Sequence, residues 1–521
     1  MHADPTSDPC TYAEAMARLD ANEWEAACAD KIRVFDHMGV YEAVPRPKGR
    51  KIFGSKWVFW IKQGPDGNIQ KYKARIVTRG FTQIKDIDYD ETFTLVAKLA
   101  SLRTILTLAT EQNLEIHQMD IKSAYLNGTL EEEIFMESPP GLDVPDGMVL
   151  HLKKVVYRTK QGSRVWYEDI SNTLKSMGYQ RTDADHAVFV RNKENVPSII
   201  ALYVDDITMV SDNSGAINRD KEALKRRYQM SDLGEIAWIL SIHIIRDCPA
   251  GRIALSQEKY INEILERFGK LDTCPISMPA LANEHLLKLE KPEVDARHYQ
   301  RMVGALMYAM LGTRPDLAYT VAALGRHAAN PEDDHQCALD HAFRYLRATS
   351  DHRLVFQRGS PHSLTLTGNV DADWASDVND RKSTSGFVFT LTGAAVSWSS
   401  KKQTSVALSS TEAEYIAGAH MAKEAVWLRW LLSELGPTQT SPTALRIDNQ
   451  SAIAIARNPE FHDRTKHIKV RHHFLRQKVE GGEVTLTYTP TGDQTVDALT
   501  KGLSREKHEK FSKEMGVYCL G

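Results

Sequence analysis

The sequence predicts an α+β protein of two unequal parts: a larger first part of hairpins and helices, then a compact α/β domain of roughly 140 residues. Three observations predict it. Two β-like runs, KIFGSKWVFWIKQ and IQKYKARIVTRGF, are joined by a GPDGN turn at Gly64 to Asn68, a strong hairpin signal. In SIIALYVDDITMVSD, two adjacent carboxylates, Asp205 and Asp206, stand between apolar runs. From Leu364 onward the pattern changes to consecutive strands, a long helix, a strand and a helix, a βββαβα order.

The elements follow in chain order. Up to about Val44 the chain is helical (YAEAMARLDANEWEAACADKIRVFDHMG), with Trp24, Ala26 and Ala27 marking a packed amphipathic face. After the hairpin, Ser101 to Leu114 is helical and EIHQMDI is a short strand. Residues 198–212 form strand, turn and strand, and Tyr299–Arg347 is helical. The polar Glu284–Val294 is a connector. In the last part LTLTGNVDADW, GFVFTLTGAAVSW and SVALSS read as strands, TEAEYIAGAHMAKEAVWLRWLLSELG as a helix ended by Gly436, then ALRIDN and QSAIAIARN as strand and helix.

Composition excludes several classes. With 521 residues, 42% hydrophobic and 26% charged, the chain has the make-up of a soluble globular protein of about three or four domains. Its apolar runs are short and interrupted, which predicts no membrane span, and Met1 to Cys10 has no apolar signal core. The six cysteines show no CxxC or Cys/His metal spacing, so reduced thiols in an intracellular setting are expected. The net charge is −3, yet between Arg46 and Arg79 ten Lys/Arg face one acid, Asp66. A second basic stretch, FHDRTKHIKVRHHFLRQK, spans Phe461 to Lys478. Two such patches favour a polyanionic partner.

Two like charges in an apolar hairpin are costly unless a cation compensates them. A third acid in similar surroundings is Asp120, in HQMDIKSAYLNG. Asp120, Asp205 and Asp206 are therefore candidate ligands for a pair of Mg2+ ions about 3.5–4 Å apart, the arrangement that serves in-line phosphoryl transfer.

QMDIKSAYLNG, LYVDDI and KWVFWIKQGPDGNIQKYKARIVTRGFTQ together resemble the reverse transcriptase of copia-type LTR retrotransposons, over roughly Ile52 to Met278. The resemblance implies a right-hand polymerase with fingers, palm and reduced thumb, followed by a helical connection. It implies the metal triad Asp120, Asp205 and Asp206, with Tyr125 as the aromatic gate that excludes a 2′-OH. Lys73 and Arg75, on one face of a strand by alternation, match cations that hold the incoming triphosphate. Gln161, in VYRTKQGSRVWY, matches a glutamine lining the nucleotide pocket. The sequence departs from the family at Arg158 and Ser241, both usually glycine, at Thr159, usually leucine, at Thr94-Leu95, usually Ser-Pro, and at His243, usually glutamate.

In the last part Asp371 (NVDADW), Glu414 (TEAEYIA), Asp448 (RIDNQSA) and Asp497 (QTVDALTK) are candidates for a second two-metal site. Spacing does not decide between Asp371 and Asp373. Together they resemble the four acids of ribonuclease H, with SKKQTSVALSSTEAEY and RTKHI specific to the copia-type version, and the family's matching segments select Asp371 and Glu414 over Asp373 and Glu412. Lys469 occupies a position usually acidic in that family.

The expected division is 1–44 helical, 45–284 reverse transcriptase, 285–362 helical connection, 363–505 ribonuclease H-like and 506–521 a C-terminal tail. The expected activity is RNA-directed DNA polymerisation with ribonuclease H cleavage. Its cofactor is Mg2+ or Mn2+, two per active site, and its partners are an RNA template, a DNA primer, an RNA–DNA hybrid and dNTPs, with homo-oligomerisation open. The alternative is a decayed or host-retained relic that binds nucleic acid without turnover. No zinc-knuckle, aspartic-protease or integrase zinc pattern occurs, so the chain reads as the C-terminal part of a polyprotein. The expected location is intracellular, in cytoplasmic virus-like particles or the nucleus.

Overall fold

The computed structural model describes residues 7–63, 68–79, 83, 96–193, 196–282, 286–288, 294–360, 363–457 and 474–520. Most of the GPDGN turn, Thr94-Leu95, Lys469 and most of the second basic stretch lie outside the described residues.

Helix α1 (Ala21–His37) lies across the hairpin of β1 (Ser55–Gln63) and β2 (Ile69–Thr78). Its buried Trp24 meets Phe59 and Tyr72 edge-on, at 5.2 and 4.8 Å between ring centres, the arrangement the ring quadrupoles prefer. The helix stops short of the expected Val44: Gly39 turns the chain at φ +59°, and Tyr41–Pro45 pairs as a strand with residues 148–152.

The expected palm is an antiparallel sheet behind α2 (Leu99–Gln112). It contains β3 (Glu115–Ile121) and, after α3 (Gly162–Ser176), the strands β4 (Val188–Lys193), β5 (Val196–Tyr203), β6 (Asp206–Ser211) and β7 (Met230–Glu235). Their order is β7-β3-β6-β5-β4, with the short strand Gln180–Arg181 at the edge. The central strand β6 is buried from Ile207 to Ser211, so its one half-buried terminal residue, Asp206, marks where the sheet opens.

Beyond the palm, strand β8 (Arg252–Ser256) precedes a helical cluster that includes α4 (Ala296–Gly312) and α5 (Asp333–Ala348). Strand β9 (Arg353–Gln357) pairs with β8.

The last part has β10 (Thr367–Asp373), β11 (Thr384–Leu391), β12 (Ala394–Lys402), α6 (Ser410–Leu435), β13 (Thr443–Ile447) and β14 (Val484–Tyr488). The sheet order is β12-β11-β10-β13-β14, antiparallel through the first three and parallel through the last three. The expected strands differ in two respects. GFVFTLTGAAVSW is two strands, because Thr392 and Gly393 both take positive φ, +47° and +80°, the mirror-image turn that matches strand twist. SVALSS is not a strand: its Ser409 caps α6, accepting from Glu412 N at 3.2 Å.

After the short helix α7 (Asp497–Thr500), the segment beyond 505 forms α8 (Arg505–Glu514) and β15 (Val517–Tyr518), which pairs with β9. One hydrophobic core runs from the palm into the last part. Among the described residues no helix is long and apolar enough to cross a membrane.

Two candidate acidic centres

In the palm, Asp206 of β6 stands directly opposite Asp120 of β3 in antiparallel register, so both side chains leave the same face of the sheet. Asp205 fills the two-residue turn with Val204. Val204 has φ +59°, uncommon for a β-branched residue, and the turn is pinned from two sides. Its carbonyl accepts from Trp166 Nε1 at 2.8 Å, and Asp205 O accepts from Ile121 N at 2.9 Å. Strain held in place by surrounding bonds is characteristic of functional sites.

The electrostatics follow from this crowding. Asp206 is pushed up to about 6, by burial and then by the charges of Asp205 and Asp120. Gln118 Nε2 donates to Asp206 Oδ1 at 3.4 Å. Asp120 is also raised, by burial and by Asp205, while Lys73, Lys122 and Arg75 pull it down. Lys73 and Arg75 of the β1–β2 hairpin therefore act on Asp120.

A pocket of about 440 Å³ is lined by Trp60, Arg75, Tyr125, Tyr157, Arg158 and Ser163, among others; none of the three acids lines it. The Arg75 guanidinium is flanked by two rings, 4.6 Å from the centre of Trp60 and 4.7 Å from that of Tyr157. Lys73 Nζ lies 5.6 Å from the Trp60 ring. Tyr125 meets Tyr157 edge-on at 5.0 Å, with its hydroxyl 3.3 Å from Ser163 Oγ. Gln161 is fully buried; its Oε1 accepts from Gln83 Nε2 at 3.1 Å, and Gln83 Oε1 accepts from Lys160 N at 2.8 Å. Arg158 has φ +70° and Ser241 φ +57°, so both departures from glycine fall where glycine costs least.

Sequence reasoning did not find Lys31. This α1 residue donates to Ser123 Oγ at 3.0 Å and lies 5.6 Å from the Tyr157 ring. Burial and Arg75 lower its pKa to about 8. On α1 it reads as a solvated charge, and only the fold brings it beside Tyr157.

In the last part, Asp371 of β10, Glu414 of α6 and Asp448 just after β13 each offer a carboxylate oxygen within 4.8 Å of the others. Asp120, Asp205 and Asp206 do not converge as a trio to that distance. Glu414 Oε1 accepts from Ala372 N at 3.1 Å, while its Oε2 is buried without a hydrogen-bond partner. Asp371 Oδ2 accepts from the Thr500 hydroxyl, and Asp448 Oδ2 from Thr491 Oγ1 at 2.9 Å. Asp497, at the start of α7, is buried and paired with Lys501 at 2.9 Å. It is pushed up to about 6 by burial and by Asp371. Asp371 and Glu414 are both raised, burial being the main cause. Glu412 is elsewhere, accepting from Leu408 N at 2.7 Å. Both centres are all-oxygen donor sets, which suit hard divalent cations. The unpartnered Glu414 Oε2 is the kind of buried acceptor such a cation would satisfy.

Residues 38–282 match the family model described as reverse transcriptase (RNA-dependent DNA polymerase). Over 98% of its length the chain is 40% identical to the retrovirus-related Pol polyprotein from transposon TNT 1-94 of Nicotiana tabacum. Over 59% of its length it is 34% identical to the transposon Ty5-1 protein of Saccharomyces cerevisiae, matched along 100% of that protein. The chain spans 39% of the tobacco polyprotein. A foamy viral protease-reverse transcriptase solved in complex with dsDNA aligns with a TM-score of 0.47 and 12% identity, over 90% of this chain and 83% of that one.

Proposed function

This chain belongs to the reverse transcriptase (RNA-dependent DNA polymerase) family of copia-type transposon Pol polyproteins, and from that premise we propose that it copies a primed RNA template into DNA and cleaves the RNA of the resulting hybrid. The observation that carries the polymerase reading is the cross-strand pair Asp120 and Asp206, with Asp205 beside it and Lys73 and Arg75 acting on it from the fingers.

In this reading the primer 3′-OH attacks the α-phosphate of a dNTP and pyrophosphate leaves. Lys73 and Arg75 hold the triphosphate oxygens, and the two rings beside Arg75 fix its guanidinium before the nucleotide arrives. Tyr125 meets the sugar, where a flat ring penalises an added 2′-oxygen by contact. Asp120, Asp205 and Asp206 would hold the palm cations, and Asp371, Glu414, Asp448 and Asp497 those of the second centre. Bound Mg2+ or Mn2+ would lower the pKa of the attacking hydroxyl or water and neutralise charge on the reacting phosphate. The ribonuclease H reading is supported by acids on β10, on α6 and just after β13. Its selectivity would rest on the ribose 2′-OH and hybrid shape.

The test is primer extension on poly(rA)/oligo(dT) with Mg2+ or Mn2+, with cleavage of a labelled RNA–DNA hybrid by the same preparation. Asp206→Asn should abolish extension and spare cleavage; Asp448→Asn should do the reverse. Undiminished extension by Asp206→Asn protein would sink the polymerase assignment. The strained Arg158 and Ser241 favour a second reading, a relic that binds the hybrid without turnover. Salt-dependent hybrid binding with neither activity in folded protein would select it.

A further inference from the structure

The second acidic centre has a cation of its own. Lys501 follows Asp497 by four residues, and its Nζ lies 2.9 Å from Asp497 Oδ1. The charges of Asp371, Asp497 and Asp373 all act on this ammonium, and Lys501 is a leading charge acting on Asp371 in turn. The neighbouring Thr500 hydroxyl donates to Asp371, so α7 delivers an ammonium and a hydrogen bond to the cluster together. Four carboxylates crowd here; Glu414 Oε2 lacks a hydrogen-bond partner, and Asp497 Oδ1 has the Lys501 ion pair but no hydrogen bond. The ammonium therefore compensates the cluster from one side only.

Lysine suits an exchangeable role. It is a compact charge on a flexible stem, without the fixed fork of arginine, and its side chain keeps 37% of its exposure, leaving a route outward. The oxygen it occupies belongs to one of the residues that would hold a divalent cation.

We infer that Lys501 is a displaceable counter-ion: it stands on Asp497 when the centre lacks a divalent cation and competes with that cation for the Asp497 carboxylate. The inference rests on reading the Asp371, Glu414, Asp448 and Asp497 cluster as a metal centre.

The test is Mn2+ titration calorimetry on the full chain carrying Asp205→Asn and Asp206→Asn, so that the heat reports the second centre. Lys501→Met should bind Mn2+ about three- to tenfold tighter, the scale of removing one partly exposed ion pair. Its metal-free melting temperature should fall below that of the parent, and saturating Mn2+ should close the gap. Lys501→Arg, which keeps the charge on a less mobile group, should bind no tighter than the parent and provides a folded control. Unchanged or weaker Mn2+ binding by Lys501→Met beside measurable binding by the parent overturns the inference and leaves the metal reading intact. No Mn2+ heat in the parent, or heat that survives Asp371→Asn with Glu414→Gln, overturns the metal reading and the inference with it.

Discussion

Gly386 stands directly opposite Asp371 in the antiparallel register of β11 and β10, and a Cβ there would lie 2.8 Å from Thr500 Cγ2 and 2.9 Å from Val496 Cγ1. The helix carrying Asp497 and Thr500, with Lys501 just after it, thus reaches the acidic centre by docking on bare backbone. Gly386→Ala should push α7 away, at a cost of about 1–3 kcal/mol for overpacking. Hybrid cleavage should fall at least tenfold while primer extension stays near wild type. Equal loss of both activities would mean that α7 does not position Asp497 independently of the fold.

Arg158 and Ser241 hold φ +70° and +57°. A side chain in the left-handed region costs roughly 1–2 kcal/mol, and glycine returns part of that as unfolded-state entropy. Arg158→Gly and Ser241→Gly should each therefore stabilise the protein by about 0.5–1 kcal/mol in urea unfolding. If strain beside the pocket that Arg158 lines limits turnover, Arg158→Gly should also raise the extension rate. Destabilisation by either change would mean that its side chain makes a contact worth more than the strain.

The palm hairpin was legible because everything that makes it is local: two apolar runs, a two-residue turn, and acids at the tip. The fingers hairpin and the long helix ended by Gly436 were legible for the same reason. Other features depend on residues far away in sequence. The split at Thr392-Gly393 is hidden by continuous apolar character on both sides. Residues 517–518 form a strand because β9 offers an edge, and nothing in their own sequence demands it. Lys31 and Gly386 matter through what the fold brings against them. Single acids in the last part were ambiguous by spacing alone; the matching family segments selected Glu414 over Glu412, and the approach of α6 to β10 brings Glu414 to Ala372 while Glu412 bonds Leu408 instead.

The raised carboxylates give a pH dependence of defined sign. Asp206 and Asp497 titrate near 6 in the folded protein, above the ordinary value of 3.8. Between about pH 4 and pH 6 the folded state holds protons that the unfolded state lacks, so stability from these groups is full below that window and lost as pH rises through it. Each should contribute about 1 kcal/mol after allowance for solvent screening. In EDTA, wild type should lose melting temperature from pH 4.5 to 6.5 more steeply than Asp206→Asn or Asp497→Asn. At pH 7, Mg2+ should raise the wild-type melting temperature and raise that of each variant less. Parallel pH profiles for all three proteins would refute the assignment.

Arg75 between Trp60 and Tyr157 is oriented before any nucleotide binds. Arg75→Lys keeps the charge and loses both the stacked plane and the fork that two phosphate oxygens can share. The KM for dNTP should rise about tenfold, with a smaller change in kcat, because the contact forms already in the ground state. Steady-state extension at varied dTTP checks it. A fall in kcat at unchanged KM would place the contact in the transition state instead.

Arg103 joins three parts of the chain from a buried position on α2. Its Nε donates to Val396 O of β12 at 2.8 Å, and its Nη1 to Leu311 O and Gly312 O at the end of α4, at 2.8 and 3.0 Å. The guanidinium centre lies 3.9 Å from the Trp398 ring centre. Burial lowers its pKa to about 9, with Glu424 acting in the opposite direction, so it still carries its charge at neutral pH. The negative end of a helix is a favourable place for that charge. Arg103→Met fills much of the same space but leaves the three carbonyls without this donor, each costly when buried. A loss of about 2–4 kcal/mol is expected, with Arg103→Lys intermediate because one ammonium cannot span all three acceptors. The loss should also loosen the joint between palm and last part. Urea unfolding of wild type, followed by polymerase and nuclease activity, should show one shared midpoint, and Arg103→Met should separate the two. Midpoints that stay together and shift by less than about 0.5 kcal/mol would show that the shared apolar core, rather than this arginine, holds the parts in place.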